Sequence, residues 1–298
     1  MPEDQFTPQD PQSEHDQPKS LGEEISHPGL TAEMGEEPDH GETTYRGSGR
    51  LTDRRAVITG GDSGIGRAVA IAFAREGADV LISCLPQEQE DAETTASLVR
   101  DAGRRAVLVT GDIRSEEHCA KIVETAVGEL GGIDVLVNNA AYQMVQMPGI
   151  SEISTEQFDR TMKTNLYAMF WLTKAALPHL RPGASIINTS SIQAVQPSPE
   201  LLDYAMTKAA IVNFTKAMGT SLADEGVRVN CVAPGPIWTP LIPATMPPEK
   251  SESHGEKTPM KRAGQPAEVA PAYVFFASQE SSYVTAEVLG VTGGLPVT

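Results

Sequence analysis

A chain of 298 residues with 40% hydrophobic content is long enough for one large α/β domain with extensions and can bury a sizeable core. Its formal net charge of −17 excludes nucleic acid as a natural partner, because binding there needs Lys and Arg to neutralise phosphates. No apolar run reaches the roughly 18 residues of a membrane span. The acidic, Pro-rich start is the reverse of a signal peptide, so a cytoplasmic protein with no membrane partner is expected.

The charge is unevenly spread: residues 1–50 hold twelve Asp and Glu against Lys19, Arg46 and Arg50. Residues 1–48 show no hydrophobic periodicity and carry six prolines, so they read as an extension, disordered or draped, on a catalytic domain at 49–298. Its histidines, His15, His27 and His40, lack the close spacing of metal ligands and read as solvated tail residues, with no metal expected. Cys84, Cys119 and Cys231 are widely spaced and form no CxxC, which fits reduced, mostly buried thiols.

From Leu51 short apolar runs alternate with amphipathic stretches. Strands are predicted at Ala56–Thr59, Val80–Ser83, Ala106–Val109, Val135–Asn138, Ser185–Thr189, Val227–Val232 and Val288–Val291. Helices are predicted at Ile65–Glu76, Glu88–Ala102, Ser115–Gly128, Glu156–Leu180, Leu201–Asp224 and Ala267–Ala277. Unbroken apolar strands separated by helices imply a parallel sheet covered on both faces. The expected fold is therefore a single-domain α/β Rossmann-type doubly wound seven-stranded parallel sheet, with ligands beyond the carboxyl ends of its strands.

The first strand runs into Thr59-Gly60-Gly61-Asp62-Ser63-Gly64-Ile65-Gly66 and then a helix. This is not GxGxxG, since Val69 stands where the third glycine would fall. Strand, tight glycine turn and helix N-terminus nevertheless suit a pyrophosphate, because backbone N–H groups face it and no Cβ blocks its approach. The end of the second strand normally reads the ribose: an acid holds the 2′-hydroxyl of NAD, a base accepts the phosphate of NADP. Cys84-Leu85-Pro86 offers neither, and without a carboxylate to repel a phosphate NADP is favoured over NAD.

Tyr204 and Lys208 are four residues apart near the start of a long predicted helix, which puts both on one face. A Lys ammonium beside a Tyr hydroxyl favours the phenolate and suits the Tyr to general acid–base work on a carbonyl or alcohol. Ser191, at the carboxyl end of the fifth predicted strand, supplies a hydroxyl to hold the substrate oxygen. The spacing alone is weak evidence; its weight comes from the combination.

The ordered set Thr59-Gly60-x-x-x-Gly64-x-Gly66, Asn138-Asn139-Ala140-Ala141, Ser191, Tyr204-x-x-x-Lys208 and Pro234-Gly235 resembles the short-chain dehydrogenase/reductase family over roughly residues 50–298. It is most similar to bacterial aldehyde/ketone reductases and glucose-dehydrogenase-like members with a polar N-terminal extension. The resemblance implies a catalytic set of Asn165, Ser191, Tyr204 and Lys208, with Asn165 holding a water in a proton relay. It implies cofactor contacts at Gly60, Asp62, Ser63, Gly64, Ile65, Gly66, Asp112, Ile113, Asn139, Ala140, Tyr204, Lys208, Pro234, Gly235, Ile237 and Thr239. Ala141 stands where glycine is commoner. A homotetramer built through Glu156–Leu180 and Leu201–Asp224 is likewise implied.

The expected reaction is hydride transfer between NAD(P)(H) and a carbonyl or alcohol carbon of a small aldehyde, ketone or sugar, since no basic cluster for a phosphate or CoA is visible. Gln143, Gln193, Gln196 and Trp238 fall on loops near the site and are candidates to touch substrate, and Leu241–Arg262, with four prolines, is a candidate mobile lid. Two rivals use the same residues differently: a non-catalytic dinucleotide-binding redox sensor whose acidic tail engages a partner, and an epimerase or dehydratase on the same scaffold.

Overall fold

The computed structural model describes residues 4–18 and 22–297. Seven parallel strands form one sheet in the order β3-β2-β1-β4-β5-β6-β7. They are β1 (Arg55–Thr59), β2 (Asp79–Cys84), β3 (Ala106–Thr110), β4 (Val135–Asn138), β5 (Ser185–Thr189), β6 (Arg228–Pro234) and β7 (Val288–Val291). Every residue of β2, β4 and β5 is buried, which is why these strands read as continuous apolar runs rather than alternating ones.

The helices are α1 (Gly64–Arg75), α2 (Gln89–Asp101), α3 (Glu116–Leu130), α4 (Thr155–Met162), α5 (Ala168–Ala176), α6 (Leu202–Ser221), α7 (Leu241–Thr245), α8 (Pro248–Glu252) and α9 (Pro266–Ala277). They cover both faces of the sheet. Phe73 of α1 and Tyr273 of α9 belong to one buried core, and Ile122 of α3 and Leu172 of α5 to the other. Local chemistry sets the helix limits. The Ser115 hydroxyl accepts from the His118 N–H to start α3, and Gly131 at φ 84° ends it in the left-handed conformation.

Two sequence expectations change. The single helix expected over Glu156–Leu180 is split by a π-helical turn at Lys163–Tyr167, where the Ala168 N–H bonds to the Lys163 carbonyl. Leu241–Arg262, expected as an irregular lid, carries the short helices α7 and α8. Their helical runs are too short for periodicity to reveal.

The acidic extension follows the domain surface through specific contacts. The Arg262 guanidinium donates to the Pro11 carbonyl at 2.7 Å, the Ile25 N–H to Pro243 at 3.3 Å, and the Ala267 N–H to Asp39 at 3.0 Å. At its end the Glu76 carboxylate, fully buried, accepts from the Tyr45 hydroxyl at 2.7 Å and the Arg50 guanidinium at 2.7 Å. Those donors hold the Glu76 carboxyl down at about 2 despite the opposing effect of burial. His27 and His40, expected in solvent, are packed instead: His40 is buried with its Nδ1 3.0 Å from Glu42, and His27 reaches the ligand cavity.

Candidate active site

One cavity runs along the carboxyl ends of the strands, lined at one end by Gly60, Asp62 and Glu88 and at the other by Ser191, Tyr204 and His254. Its floor is the glycine turn. Gly60 and Gly64 have φ of +61° and +49°, and a Cβ on Gly66 would lie 1.8 Å from the Gly60 carbonyl oxygen, so α1 can approach the turn only without a side chain there. The Ser63 side chain makes no cap, which leaves the first N–H groups of α1 free for an anion. The Arg67 guanidinium, itself buried, braces the turn by donating to the Asp62 carbonyl at 2.8 Å and to the Asp91 carboxylate at 2.9 Å.

The end of β4 is tied to that turn. The Asn139 side-chain amide donates to the Thr59 carbonyl at 3.1 Å, and the Thr59 hydroxyl accepts from the Asn139 and Ala140 N–H groups. Ser63, Ile65, Asp112, Ile113, Ala140, Ala141, Pro234, Gly235, Ile237 and Thr239 all line the same cavity. These residues come from the ends of four strands, β1, β3, β4 and β6, which is what a parallel sheet with ligands beyond its carboxyl edge produces.

The expectation that no carboxylate stands near the ribose-reading position needs correction. Asp62, 1% exposed, and Glu88 both line the cavity beside Cys84. Glu88 is brought there because its carboxylate accepts from the Leu85 N–H at 2.8 Å, closing a tight turn after β2. Burial pushes the Glu88 carboxyl up to about 8, and the charges of Asp62 and Asp91 add to that; Asp62 is raised to about 6, again mainly by burial. Asp62 Oδ1 has no hydrogen-bond partner. A buried acceptor facing a groove with glycine-freed N–H groups is what a dinucleotide's ribose hydroxyls would satisfy, so the residues present fit such a cofactor.

At the chemical end, Tyr204 and Lys208 stand on successive turns of α6, both buried. The Lys208 ammonium donates to the Thr189 carbonyl at 2.9 Å and lies 5.2 Å from the Tyr204 ring centroid. The expected depression of the Tyr204 hydroxyl by Lys208 is absent. Burial lifts Tyr204 to about 12, opposed by a hydrogen bond with Ser191, because the ammonium sits over the ring rather than at the oxygen. Burial also lowers Lys208 to about 8. Ser191 opens a short helical turn, its hydroxyl accepting from the Gln193 N–H at 3.1 Å.

Asn165 lies in the π turn, and its side chain is fully engaged: Oδ1 accepts from the Tyr142 N–H at 2.8 Å, and Nδ2 donates to the Tyr142 carbonyl and to the Thr207 hydroxyl. It clamps the loop after β4 onto α6. Gln143 lines the cavity but spends its amide on the Thr245 hydroxyl at 3.0 Å, joining that loop to α7, while Gln193 lines it with Oε1 held by Ser198. Gln196 lies outside this cavity and bonds the Pro296 carbonyl. Trp238, expected at substrate, is 1% exposed and absent from the lining; its indole donates to the Glu36 carbonyl at 3.2 Å and packs on Met34 and Ile242. Its extended neighbours Ile237 and Thr239 face the cavity, so Trp238 faces away.

Sequence reasoning missed the roof. His27, Pro28 and Gly29 of the extension line the cavity. His27 meets the Tyr142 ring edge-on at 5.2 Å and bonds the Arg160 guanidinium at 3.2 Å, while Arg160 also covers Tyr142 at 4.1 Å. Two residues on, the Thr31 N–H donates to Asp91 at 2.8 Å. Arg160, one turn before Asn165 on the same helical path, was the one cue available. Away from the cavity, Glu14, His15 and Glu268 bring ligating atoms within 4.8 Å of one another, and the Arg262 guanidinium already occupies Glu268.

A fold of this topology with a glycine turn at one end of its groove and a Ser–Tyr–Lys set at the other defines a dinucleotide-dependent oxidoreductase. A family model described as enoyl-(acyl carrier protein) reductase matches residues 60–296, and the chain belongs to the short-chain dehydrogenase/reductase family. It is an NAD(P)-dependent dehydrogenase/reductase. It is 57% identical to the uncharacterized oxidoreductase YghA of Escherichia coli, over 90% of this chain and 91% of that one. It is 45% identical to an NADPH-dependent aldehyde reductase of Arabidopsis thaliana, over 91% and 96%. Among solved structures, a short-chain dehydrogenase from Burkholderia cenocepacia in complex with NADP superposes with a TM-score of 0.78 at 29% identity, covering 83% of this chain and 99% of that one. Among the described residues no helix is long and apolar enough to cross a membrane.

Proposed function

We propose that this enzyme interconverts a small aldehyde, ketone or sugar and its alcohol, with Tyr204 as general acid and base. The observation that carries the reading is the meeting of Ser191 with Tyr204 at the cavity wall above the buried Lys208. Nicotinamide, when bound, supplies or takes the hydride. The protein's own task is polarisation and proton supply. Ser191 holds the substrate oxygen. Tyr204, protonated at neutral pH, gives that oxygen its proton in reduction and takes it back in oxidation. Lys208 is the cation nearest the phenolate so formed, and the proton route continues toward the π turn, whose main chain is left to hold a water because the Asn165 side chain is spent on Tyr142.

Gly60, Gly64 and the N-terminus of α1 would hold the pyrophosphate, and Pro234 to Thr239 the nicotinamide end. Among the similar proteins, the Arabidopsis reductase is named for NADPH and the Burkholderia structure holds NADP. NADP stays the preference read from Cys84-Leu85-Pro86: Glu88, raised to about 8, is neutral at pH 7 and brings no charge against a 2′-phosphate, while Asp62 can accept from a ribose hydroxyl. Within the extension before residue 49, the described residues around His27–Thr31 act as a strap over the groove. Exposed Phe158, Tyr167, Phe170 and Met206 on α4 to α6 support a homotetramer through those helices. A panel of aldehydes, ketones and sugars assayed with NADH and with NADPH tests the reaction; no oxidation of either by any of them would overturn it.

A further inference from the structure

We propose that His254 is a specificity-determining residue whose free Nε2 accepts a hydrogen bond from a hydroxyl of the substrate, so that the enzyme selects hydroxylated carbonyl compounds over plain alkanals. This rests on the carbonyl–alcohol reading above. His254 sits just after α8 and borders two cavities, the catalytic one and a second that opens beside it. Gln193, Leu201, Pro236 and Met246 share that border, so a substrate held at Ser191 and Tyr204 extends past the imidazole.

The ring's chemistry is fixed by its surroundings. Nε2 is buried and has no hydrogen-bond partner, and the Ile237 main chain lies against the ring. In the neutral ring one nitrogen carries the proton and the other accepts; with the proton on Nδ1, Nε2 is the acceptor that a substrate hydroxyl satisfies. Burial keeps the ring neutral, lowering it to about 4. His40 and His118 also bury an unpartnered Nε2, but neither lines the catalytic cavity. An acceptor in that position needs an incoming donor, and a carbonyl substrate without a hydroxyl has none to give. The second cavity continues the pattern, offering Ser198 and the ion pair of Glu200 and Lys250 at 2.8 Å to further hydroxyls. Sites built to bond a substrate hydroxyl reject the analogue lacking it, because their own polar group is then left buried and unpaired.

The test uses the full chain with its preferred dinucleotide and the matched aldehydes glyceraldehyde and propanal. His254→Leu should lower kcat/KM for glyceraldehyde by roughly 10–100-fold and leave that for propanal nearly unchanged. His254→Gln, whose amide oxygen can reach the Nε2 position, should restore most of the loss. An unchanged ratio in His254→Leu, or an equal loss for both aldehydes with no recovery in His254→Gln, overturns the assignment. A wild-type chain that turns over propanal without preferring glyceraldehyde overturns it too. Turnover of neither aldehyde overturns this inference alone, whereas turnover of no carbonyl compound at all removes the underlying reaction as well.

Discussion

The Lys208 ammonium lies over the Tyr204 ring, 5.2 Å from its centroid, and gives its hydrogen bond to the Thr189 carbonyl rather than to the phenol oxygen. The two groups are therefore a buried cation and a buried neutral acid side by side. Tyr204→Phe removes only the oxygen, so turnover should fall by roughly 10²–10⁴-fold. Dinucleotide affinity, read by fluorescence titration, should stay within a few-fold of wild type. Near-normal turnover would exclude Tyr204 as the acid–base group.

Lys208 also carries a cost in stability. Lowering its pKa from 10.5 to about 8 corresponds to roughly 3 kcal/mol of burial penalty at neutral pH. The unfolded chain keeps the Lys proton longer than the native one, so stability rises with pH between about 8 and 10.5. Lys208→Met should melt higher than wild type without cofactor, flatten that rise, and lose turnover. Thermal melts across this pH range check it; a lower melting temperature for the variant at pH 7 would contradict it.

Glu88 makes a binding prediction that does not depend on substrate. At pH 7, where the Glu88 carboxyl is neutral, wild type should bind NADPH at least as tightly as NADH. Binding of NADPH should weaken relative to NADH as pH rises through about 8 and Glu88 ionises, and Glu88→Gln should remove that change. A ratio independent of pH in the wild type would remove Glu88 from ribose recognition.

His27 links the extension to cofactor retention through pH. Burial first, then the Arg160 and Arg114 charges, lower it to about 4 from 6.5. The docked strap disfavours the proton that a released strap accepts, so docking is complete above about pH 6.5 and weakens as pH falls toward 4. Dinucleotide dissociation, followed by stopped flow, should accelerate over that interval in the wild type, and His27→Gln should remove the acceleration.

Trp238→Phe deletes the indole bond to the Glu36 carbonyl while keeping most of the apolar packing. A stability loss of about 1 kcal/mol is expected, with substrate KM unchanged. A large KM change would return Trp238 to the substrate site.

The sheet was legible because burial on both faces leaves strands such as Val135–Val137 and Ile186–Ile187 uniformly apolar. Ser191, Tyr204 and Lys208 were legible because one strand end and one helical turn bring them to a common cavity. What stayed hidden depends on direction and distance. Trp238 differs from Ile237 and Thr239 only in which way an extended chain points it. Glu88 lies past the three residues read as the end of the second strand and reaches the groove through the short turn Pro86–Glu88. His27 finds Tyr142 and Arg160 more than a hundred residues away, from a segment with no periodicity to announce a docking surface.

The contacts of Pro11 with Arg262, Gln17 with Ala263, Glu36 with Trp238 and Asp39 with Ala267 each join positions more than two hundred residues apart. During synthesis residues 11–39 leave the ribosome long before residues 238–267, and those contacts must wait for the later segment. The roof of the groove closes late, after the sheet that it covers, and pairings of such long separation are slow to form. A dinucleotide present while the chain is folding can thus settle onto the glycine turn before the strap is drawn across it.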